Sequence, residues 1–232
     1  MTAADSSEST SSSAWTAVAD AIGIRAGMNV LDVGCGTGGF CELAAARGAA
    51  VHGLDVTPTA IDRARRRVPD GQFEVGLMEE LPWPDDRFDV VTGFNAFQYA
   101  LDVDMALSEA WRVSRPGGRL AICKWTRPQD NELFALLITL GAGNAASLRA
   151  SDPVDDAVRR ARLAVHHTGD VPVAMQMRDA AALEAALISA GALQAPGGAA
   201  DRQRLLDRAS PYRQPDDSYR FKSSLRYVIV GM

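Results

Sequence analysis

Residues 30–39 have the sequence Val-Leu-Asp-Val-Gly-Cys-Gly-Thr-Gly-Gly, in which a strand-like run leads into a cluster of glycines. The run 29–33 contains mainly valine and leucine with a polar start, as short buried strands do. The glycines that follow allow the backbone to approach a ligand closely. An alanine-rich run over 38–47 then predicts a helix, whose first N–H groups have no partner within the helix. This order predicts the opening unit of an α/β fold, with a ligand site at the glycine loop.

The alternation of strand and helix continues on the C-terminal side of this unit. Thr57 is a good N-cap with Pro58 at the first helical position, and Asp102 precedes a run whose apolar residues recur at helical spacing. The strand-like runs are residues 51–55, 73–75, 88–94 and 119–125. We therefore predict an α/β fold with a doubly wound, mostly parallel, Rossmann-like sheet covered by helices on both faces.

The rhythm of strand and helix breaks after Trp125. Proline and glycine separate two helical runs in residues 127–177, and we expect this segment to be an inserted helical lid above the carboxyl ends of the strands. The alternating stretch 219–230 predicts a closing antiparallel strand. Residues 1–13 are rich in serine and threonine and predict a flexible tail. The remainder, residues 14–232, is then a single domain.

Composition excludes several classes of function. The chain has 232 residues and a formal net charge of −5, so a broad nucleic-acid-binding surface is not expected. No apolar run has the ~20 residues of a membrane helix, and the N-terminal residues lack the pattern of a secretory signal. The three cysteines have no zinc-binding spacing, and the acidic residues have no metal-ligand spacing. We expect a cytoplasmic protein without a metal ion.

The glycine loop is compatible with two kinds of nucleotide cofactor. Gly34, Gly36 and Gly39 match the G-x-G-x-x-G pattern of dinucleotide sites, which is weak evidence alone. Asp32, two residues before the first glycine, would repel a pyrophosphate but could receive an ammonium group. Asp55 ends the second predicted strand, where a carboxylate can accept both ribose hydroxyls of either cofactor. A helix-capping role for Asp55 remains the alternative.

The combined motifs resemble those of a known enzyme class. The chain is similar to class I S-adenosylmethionine-dependent methyltransferases, and within them to the small-molecule group related to the quinone-biosynthesis enzymes. The motifs are VLDVGCGTG, GLDVTP, ELPWPDDRFDVV and EAWRVSRPGGRLAI. The resemblance implies S-adenosyl-L-methionine as cofactor, S-adenosyl-L-homocysteine as product, and methyl transfer to O, N or C of a small, partly apolar metabolite. It implies no membrane or nucleic-acid partner, and a monomer or homodimer. A non-methylating reaction such as cyclisation on the same fold is the alternative.

The resemblance also implies which residues bind the cofactor. The loop would hold its methionine part and Asp32 its amino group, while Asp55 would bind the ribose and Val56 would pack on adenine. Leu77 stands where the family usually has an acid that binds the adenine amino group, so the Met78 backbone or Glu79 would replace that contact. Trp15, before the first strand, has a cofactor-facing role or a simple helix-packing role. The full set is Trp15, Asp32, Gly34, Cys35, Gly36, Gly38, Asp55, Val56, Leu77, Met78, Glu79, Asn95 and Ala96.

Catalytic residues are harder to predict, because methyl transfer needs alignment and exclusion of water, and a base is optional. Tyr99 follows the fourth strand, where the substrate would enter, and could orient an acceptor; an ordinary helix turn is the alternative. His166 and His167 lie in the predicted lid and could accept a proton near neutral pH. A solvated pair of loop histidines is the alternative for them.

Overall fold

The computed structural model describes residues 3–126, 130–139, 152–189 and 199–231. Its strands form a seven-stranded sheet with the order β3-β2-β1-β4-β5-β7-β6. The strands are β1 (Asn29–Val33), β2 (Ala50–Asp55), β3 (Gln72–Val75), β4 (Phe88–Phe94), β5 (Ser114–Trp125), β6 (Ala164–Met177) and β7 (Tyr219–Gly231). Strands β1 to β5 pair in parallel, and the C-terminal strands are antiparallel, which confirms the predicted fold class.

Each helix with a predicted capping residue begins directly after that residue. The Asp102 carboxylate accepts a hydrogen bond from Met105 N at 3.0 Å, and Asp179 accepts one from Ala182 N at 2.7 Å. The helices are α1 (Ala3–Ile22), α2 (Gly39–Ala46), α3 (Pro58–Arg67), α4 (Val103–Arg112), α5 (Glu132–Thr139), α6 (Pro153–Arg160), α7 (Ala180–Ser189) and α8 (Ala199–Ala209).

Helices cover both faces of the parallel strands. Leu31 and Val33 of β1 belong to a buried cluster that includes Leu107 of α4. Val30, which points to the opposite face, belongs to a second cluster that includes Phe40 of α2. The alternation along β1 thus separates two apolar layers, as the doubly wound prediction requires.

The chain divides into two compact units. The first comprises residues 12–124, 152–171 and 226–231, and it contains both of these clusters. The second comprises residues 3–11, 125–126, 130–139, 172–189 and 199–225. It has its own apolar cluster, formed by α5, α7, α8 and the start of β7, with Leu183, Leu205 and Phe221 fully buried.

The structure differs from the sequence prediction in two segments. Helix α1 begins at Ala3, so it includes most of the serine-rich segment 1–13, whose mobility stays a prediction. Within the predicted lid, α5 and α6 are helical, but residues 164–177 form strand β6. Residues 127–129 and 140–151 of that segment lie outside the described residues. Closure of the segment over a substrate also stays a prediction.

Candidate cofactor-binding site

The glycine loop, residues 34–38, joins β1 to α2 at the point where the strand order reverses. β1 pairs with β2 on one side and with β4 on the other, and open α/β sheets bind ligands at such a point. Gly34 N and Cys35 N both donate to Leu54 O, at 2.7 and 3.0 Å, which anchors the loop to the end of β2. Gly34, Gly36 and Gly38 have φ values of +72°, +52° and +82°, a region that favours glycine.

Two of these glycines also permit close packing, and the third faces open space. A Cβ at Gly34 would lie 2.5 Å from Ala96 Cβ, so the loop packs directly on the segment after β4. A Cβ at Gly38 would lie 3.0 Å from Ala64 Cβ of α3. A Cβ at Gly36 would meet no described atom within 4 Å. A ligand can therefore approach the Gly36 backbone closely.

Asp55 holds the loop in place with its carboxylate. Its Oδ2 accepts a hydrogen bond from Gly36 N at 2.9 Å, and its Oδ1 accepts one from Thr57 N at 2.9 Å. Thr57 makes no side-chain capping bond to α3. Asp55 thus connects the start of α3 to the glycine loop. Each of its carboxylate oxygens can accept one more hydrogen bond, for example from a hydroxyl group.

Asp32 is a buried carboxyl group directly below the loop. It is 3% exposed, and its Oδ1 accepts a hydrogen bond from Thr92 Oγ1 at 2.7 Å. Burial raises the pKa of Asp32 from 3.8 to about 7, against the lowering effect of Thr92 and with a smaller contribution from the Asp55 charge. A ligand cation would offset the cost of ionising this group.

The segment after β4 provides a buried side-chain acceptor. Asn95 has a φ of +51°, and its N–H donates to Cys123 O at 2.7 Å, which fixes the backbone beside β5. Its side-chain Oδ1 is buried and has no hydrogen-bond partner among the residues that the structure describes. Since buried acceptors are rarely left unpaired, a donor from a ligand or a water fits this position. Ala96, the next residue, is buried against Gly34.

Two aliphatic side chains are exposed beside the loop, after the ends of β2 and β3. Val56 is 56% exposed and Leu77 is 48% exposed, and Gly76 N donates to Asp55 O at 3.1 Å, which ties the two segments together. Met78 instead packs against the core. Exposed apolar side chains at a ligand site suit a flat ring, so Val56 and Leu77 fit an adenine contact.

Glu79 and Trp15 both have structural contacts. Glu79 Oε1 accepts hydrogen bonds from Leu101 N at 2.6 Å and Asp102 N at 3.3 Å, so it binds the start of α4. The Trp15 ring covers Gly39 at the start of α2 and meets the Phe94 ring edge to face at 6.5 Å. Trp15 therefore packs against α2 and also lies beside the glycine loop.

The structure does not bring all of the predicted catalytic residues close to the glycine loop. Tyr99 lies on a short 3-10 helix soon after β4 and is 75% exposed. His166 and His167 lie on β6, the last strand in the order, and His167 Nε2 is 3.1 Å from Tyr227 Oη. Two strands separate β6 from β4, which corresponds to ~14 Å at ~4.8 Å per strand. The two histidines are therefore remote from the glycine loop.

Sequence analysis missed two residues that support the loop. Thr92 is paired in register with Asp32 across β1 and β4, and a threonine within an otherwise apolar buried strand could have indicated it. Arg67 Nη1 donates to Thr37 Oγ1 at 3.3 Å and to Thr37 O at 3.4 Å. Arg67 lies on α3 in a run with Arg63, Arg65 and Arg66, a pattern that by itself indicates only a solvated helix face.

Within the described ranges, no group of three or more His, Cys, Asp or Glu side chains could hold a metal ion. None of the described helices is both long and apolar enough to cross a membrane.

Comparison with known proteins finds similarity over the part of the chain that contains this site. Residues 31–122 match the family model described as a methyltransferase domain, a range that contains the loop, Asp55 and Asn95. The demethylmenaquinone methyltransferase of Tropheryma whipplei (strain Twist) is 34% identical over 136 residues, 57% of this chain and 57% of that protein. The chain thus matches little more than half the length of this relative. The resemblance to class I methyltransferases similar to the quinone-biosynthesis enzymes is confirmed.

Solved structures share the fold over nearly the whole chain. A protein of Bacillus halodurans C-125 has a TM-score of 0.66 at 16% identity, covering 93% of this chain and 97% of that one. The geranyl diphosphate C-methyltransferase of Streptomyces coelicolor A3(2), solved with S-adenosyl-L-homocysteine, has a TM-score of 0.59 at 16% identity, covering 95% and 78%. At these identities the likeness establishes the fold alone.

Proposed function

We propose that this protein transfers a methyl group from S-adenosyl-L-methionine to O, N or C of a small, partly apolar metabolite. The observation that carries the proposal is the buried Asp32 carboxyl group beneath a glycine loop that opens at Gly36. A dinucleotide would place a pyrophosphate near this carboxyl group, whereas a cofactor with an amino-acid part brings a cation to it. The matched methyltransferase domain supports the same choice.

The amino-acid part of the cofactor would lie between the glycine loop and the segment after β4. Asp32 would bind the ammonium group, which favours its ionised form and lowers its raised pKa. The unpaired Oδ1 of Asn95 is a second acceptor for a donor in this region. Gly36 would allow close backbone contact, and Cys35 and Gly38 complete the loop.

The nucleoside part would lie at the ends of β2 and β3. Asp55 would accept hydrogen bonds from the ribose hydroxyls while it keeps its two backbone contacts. Val56 and Leu77 would pack on the adenine ring. Because Leu77 replaces the acid usual in this family, the adenine amino group would bind the Met78 backbone carbonyl. Glu79 would then act indirectly, through its hydrogen bonds to the start of α4.

The bound cofactor supplies an electrophilic methyl group on a sulfonium centre, so the protein needs no strong nucleophile of its own. The protein must instead hold the acceptor in line and exclude water. Tyr99 is a candidate for orienting the acceptor, since its exposed ring follows the strand that carries Asn95. The remote position of His166 and His167 gives no support for either as a base.

Quantitative ligand and product measurements test this proposal. Calorimetry should give tighter binding of S-adenosyl-L-homocysteine than of NAD. Incubation with the methyl donor and a panel of phenols, amines and quinones should form one S-adenosyl-L-homocysteine per methylated product. Product formation without S-adenosyl-L-homocysteine would favour the alternative, a non-methylating reaction such as cyclisation. Tighter binding of NAD would reject the proposed cofactor.

We infer three further properties. The net charge of −5 favours a small molecule over nucleic acid as the acceptor. The resemblance to small-molecule methyltransferases supports a monomer or homodimer in the cytoplasm. Sedimentation and an electrophoretic binding assay with single- and double-stranded DNA test these points.

A further inference from the structure

A cleft in the second unit has no lining residue in common with the residues assigned to the cofactor. Its volume is about 830 Å³, within the usual range for small-molecule sites. Residues from α5, β6, β7 and the short 3-10 helix Ser210–Tyr212 line it. They include Glu132, Val173, Tyr212, Arg220, Lys222 and Ser223.

Two cations on one strand face give the cleft a positive charge. Arg220 and Lys222 are two positions apart on β7, so both side chains project from the same face of the sheet. Both are exposed, and neither forms an ion pair with any described residue. Glu132 is the acidic lining residue, and its Oε2 accepts a hydrogen bond from Lys222 N at 2.5 Å. The charged lining side chains therefore retain one net positive charge.

A buried amide beside the cleft has a donor without an acceptor. Asn131 is 1% exposed, and its Oδ1 accepts hydrogen bonds from Ser223 Oγ at 3.0 Å and from Phe134 N at 3.3 Å. The Phe134 N–H requires an acceptor, which fixes the orientation of the amide. Asn131 Nδ2 is then left buried without a partner in the described part of the chain. It adjoins Glu132 in sequence and binds Ser223, both of which line the cleft.

The rest of the wall is apolar. Val173 is nearly buried, and prolines from β6 and from the 3-10 helix lie beside it. The Tyr212 ring stacks on Phe221 with centroids 4.7 Å apart, which holds the aromatic wall in position. Two cations next to an apolar wall are complementary to an amphipathic anion.

We propose that this cleft binds a small amphipathic molecule with a carboxylate or phosphate head group. The head group would lie between Arg220 and Lys222, and the apolar body would pack against the lining prolines Pro172 and Pro211. The proposal concerns a second ligand site and does not depend on the methyl-transfer activity.

The test uses three probes of equal chain length: octanoate, octyl phosphate and the neutral 1-octanol. Titrations of the 232-residue chain are followed by calorimetry and by amide chemical shifts of residues 220–223, with saturating S-adenosyl-L-homocysteine present. We expect the two anions to bind and shift these amides, and 1-octanol to bind much more weakly. Preference for octyl phosphate over octanoate would identify a phosphate head group.

Variants separate this site from general surface binding. Arg220→Gln combined with Lys222→Gln should weaken anion binding roughly fivefold or more, since each exposed ion pair contributes modestly. Arg208→Gln, an exposed arginine on α8 outside the cleft lining, is the control and should leave binding unchanged. Lys222→Gln alone should give an intermediate loss. Equal binding of all three probes, or equal affinity in the double variant, would overturn the proposal.

Discussion

Replacing Asp32 by Asn should increase the stability of the ligand-free protein while it weakens cofactor binding. The substitution keeps the shape of the side chain and an acceptor for Thr92 Oγ1, but it removes the ionisable group. Burial raises the pKa of Asp32 from 3.8 to about 7. At 1.36 kcal/mol per pH unit, this shift lowers the stability of the native protein by up to ~4 kcal/mol near pH 8.

The direction of this pH dependence of stability follows from proton binding to Asp32. Below pH 4 the Asp32 carboxyl group is protonated in the folded and the unfolded chain, and it causes no loss of stability. As pH rises from 4 to 7, the unfolded chain releases the proton first, so the stability of the parent protein falls. Asp32→Asn lacks this dependence, and its advantage over the parent should therefore grow with pH.

Urea denaturation of the parent and the Asp32→Asn variant at pH 5 and pH 8 measures this difference. Asp62→Asn, an exposed carboxylate on α3, is the control and should change stability equally at both pH values. Calorimetry should show S-adenosyl-L-homocysteine bound roughly tenfold more weakly or worse by Asp32→Asn, because a charge-assisted hydrogen bond is lost. A pH-independent difference in stability together with unchanged affinity would refute the assignment of Asp32.

Three further substitutions test the site. Asp55→Ala should weaken binding of S-adenosyl-L-homocysteine at least ~tenfold in calorimetry, because charge-assisted bonds contribute ~1.5–3 kcal/mol each; unchanged affinity would limit Asp55 to a structural role. Gly34→Ala should lower the melting temperature more than Gly23→Ala, since both have positive φ but an added Cβ at Gly23 meets no described atom within 4 Å; equal losses would contradict the close packing of the loop. His166→Ala combined with His167→Ala should leave turnover and cofactor affinity nearly unchanged, because β6 is distant from the loop; a large loss of turnover would restore the lid hypothesis.

Most of the parallel part of the fold could be predicted because its signals are local. The strand before the glycines, the Pro58 start of α3 and the Asp102 cap of α4 each depend on a few neighbouring residues. Strand β6 was not predicted. Residues 164–170 are mostly exposed and lack apolar alternation, so their strand conformation depends on pairing within the sheet. In the second half, Val171, Val173, Met175 and Met177 alternate with other residues, a local strand signal that sequence analysis missed.

The sequence by itself determined the glycine loop, the carboxylates Asp32 and Asp55 around it, and the order of strands and helices, because these depend on spacing along the chain. Only the tertiary structure paired Thr92 with Asp32, left Asn95 Oδ1 without a partner among the described residues and placed His166 on a strand away from the loop. The physical reason is that register between strands distant in sequence is set by long-range hydrogen bonds and burial. Local patterns specify which residues can form a site, and the pairing of strands decides which of them meet.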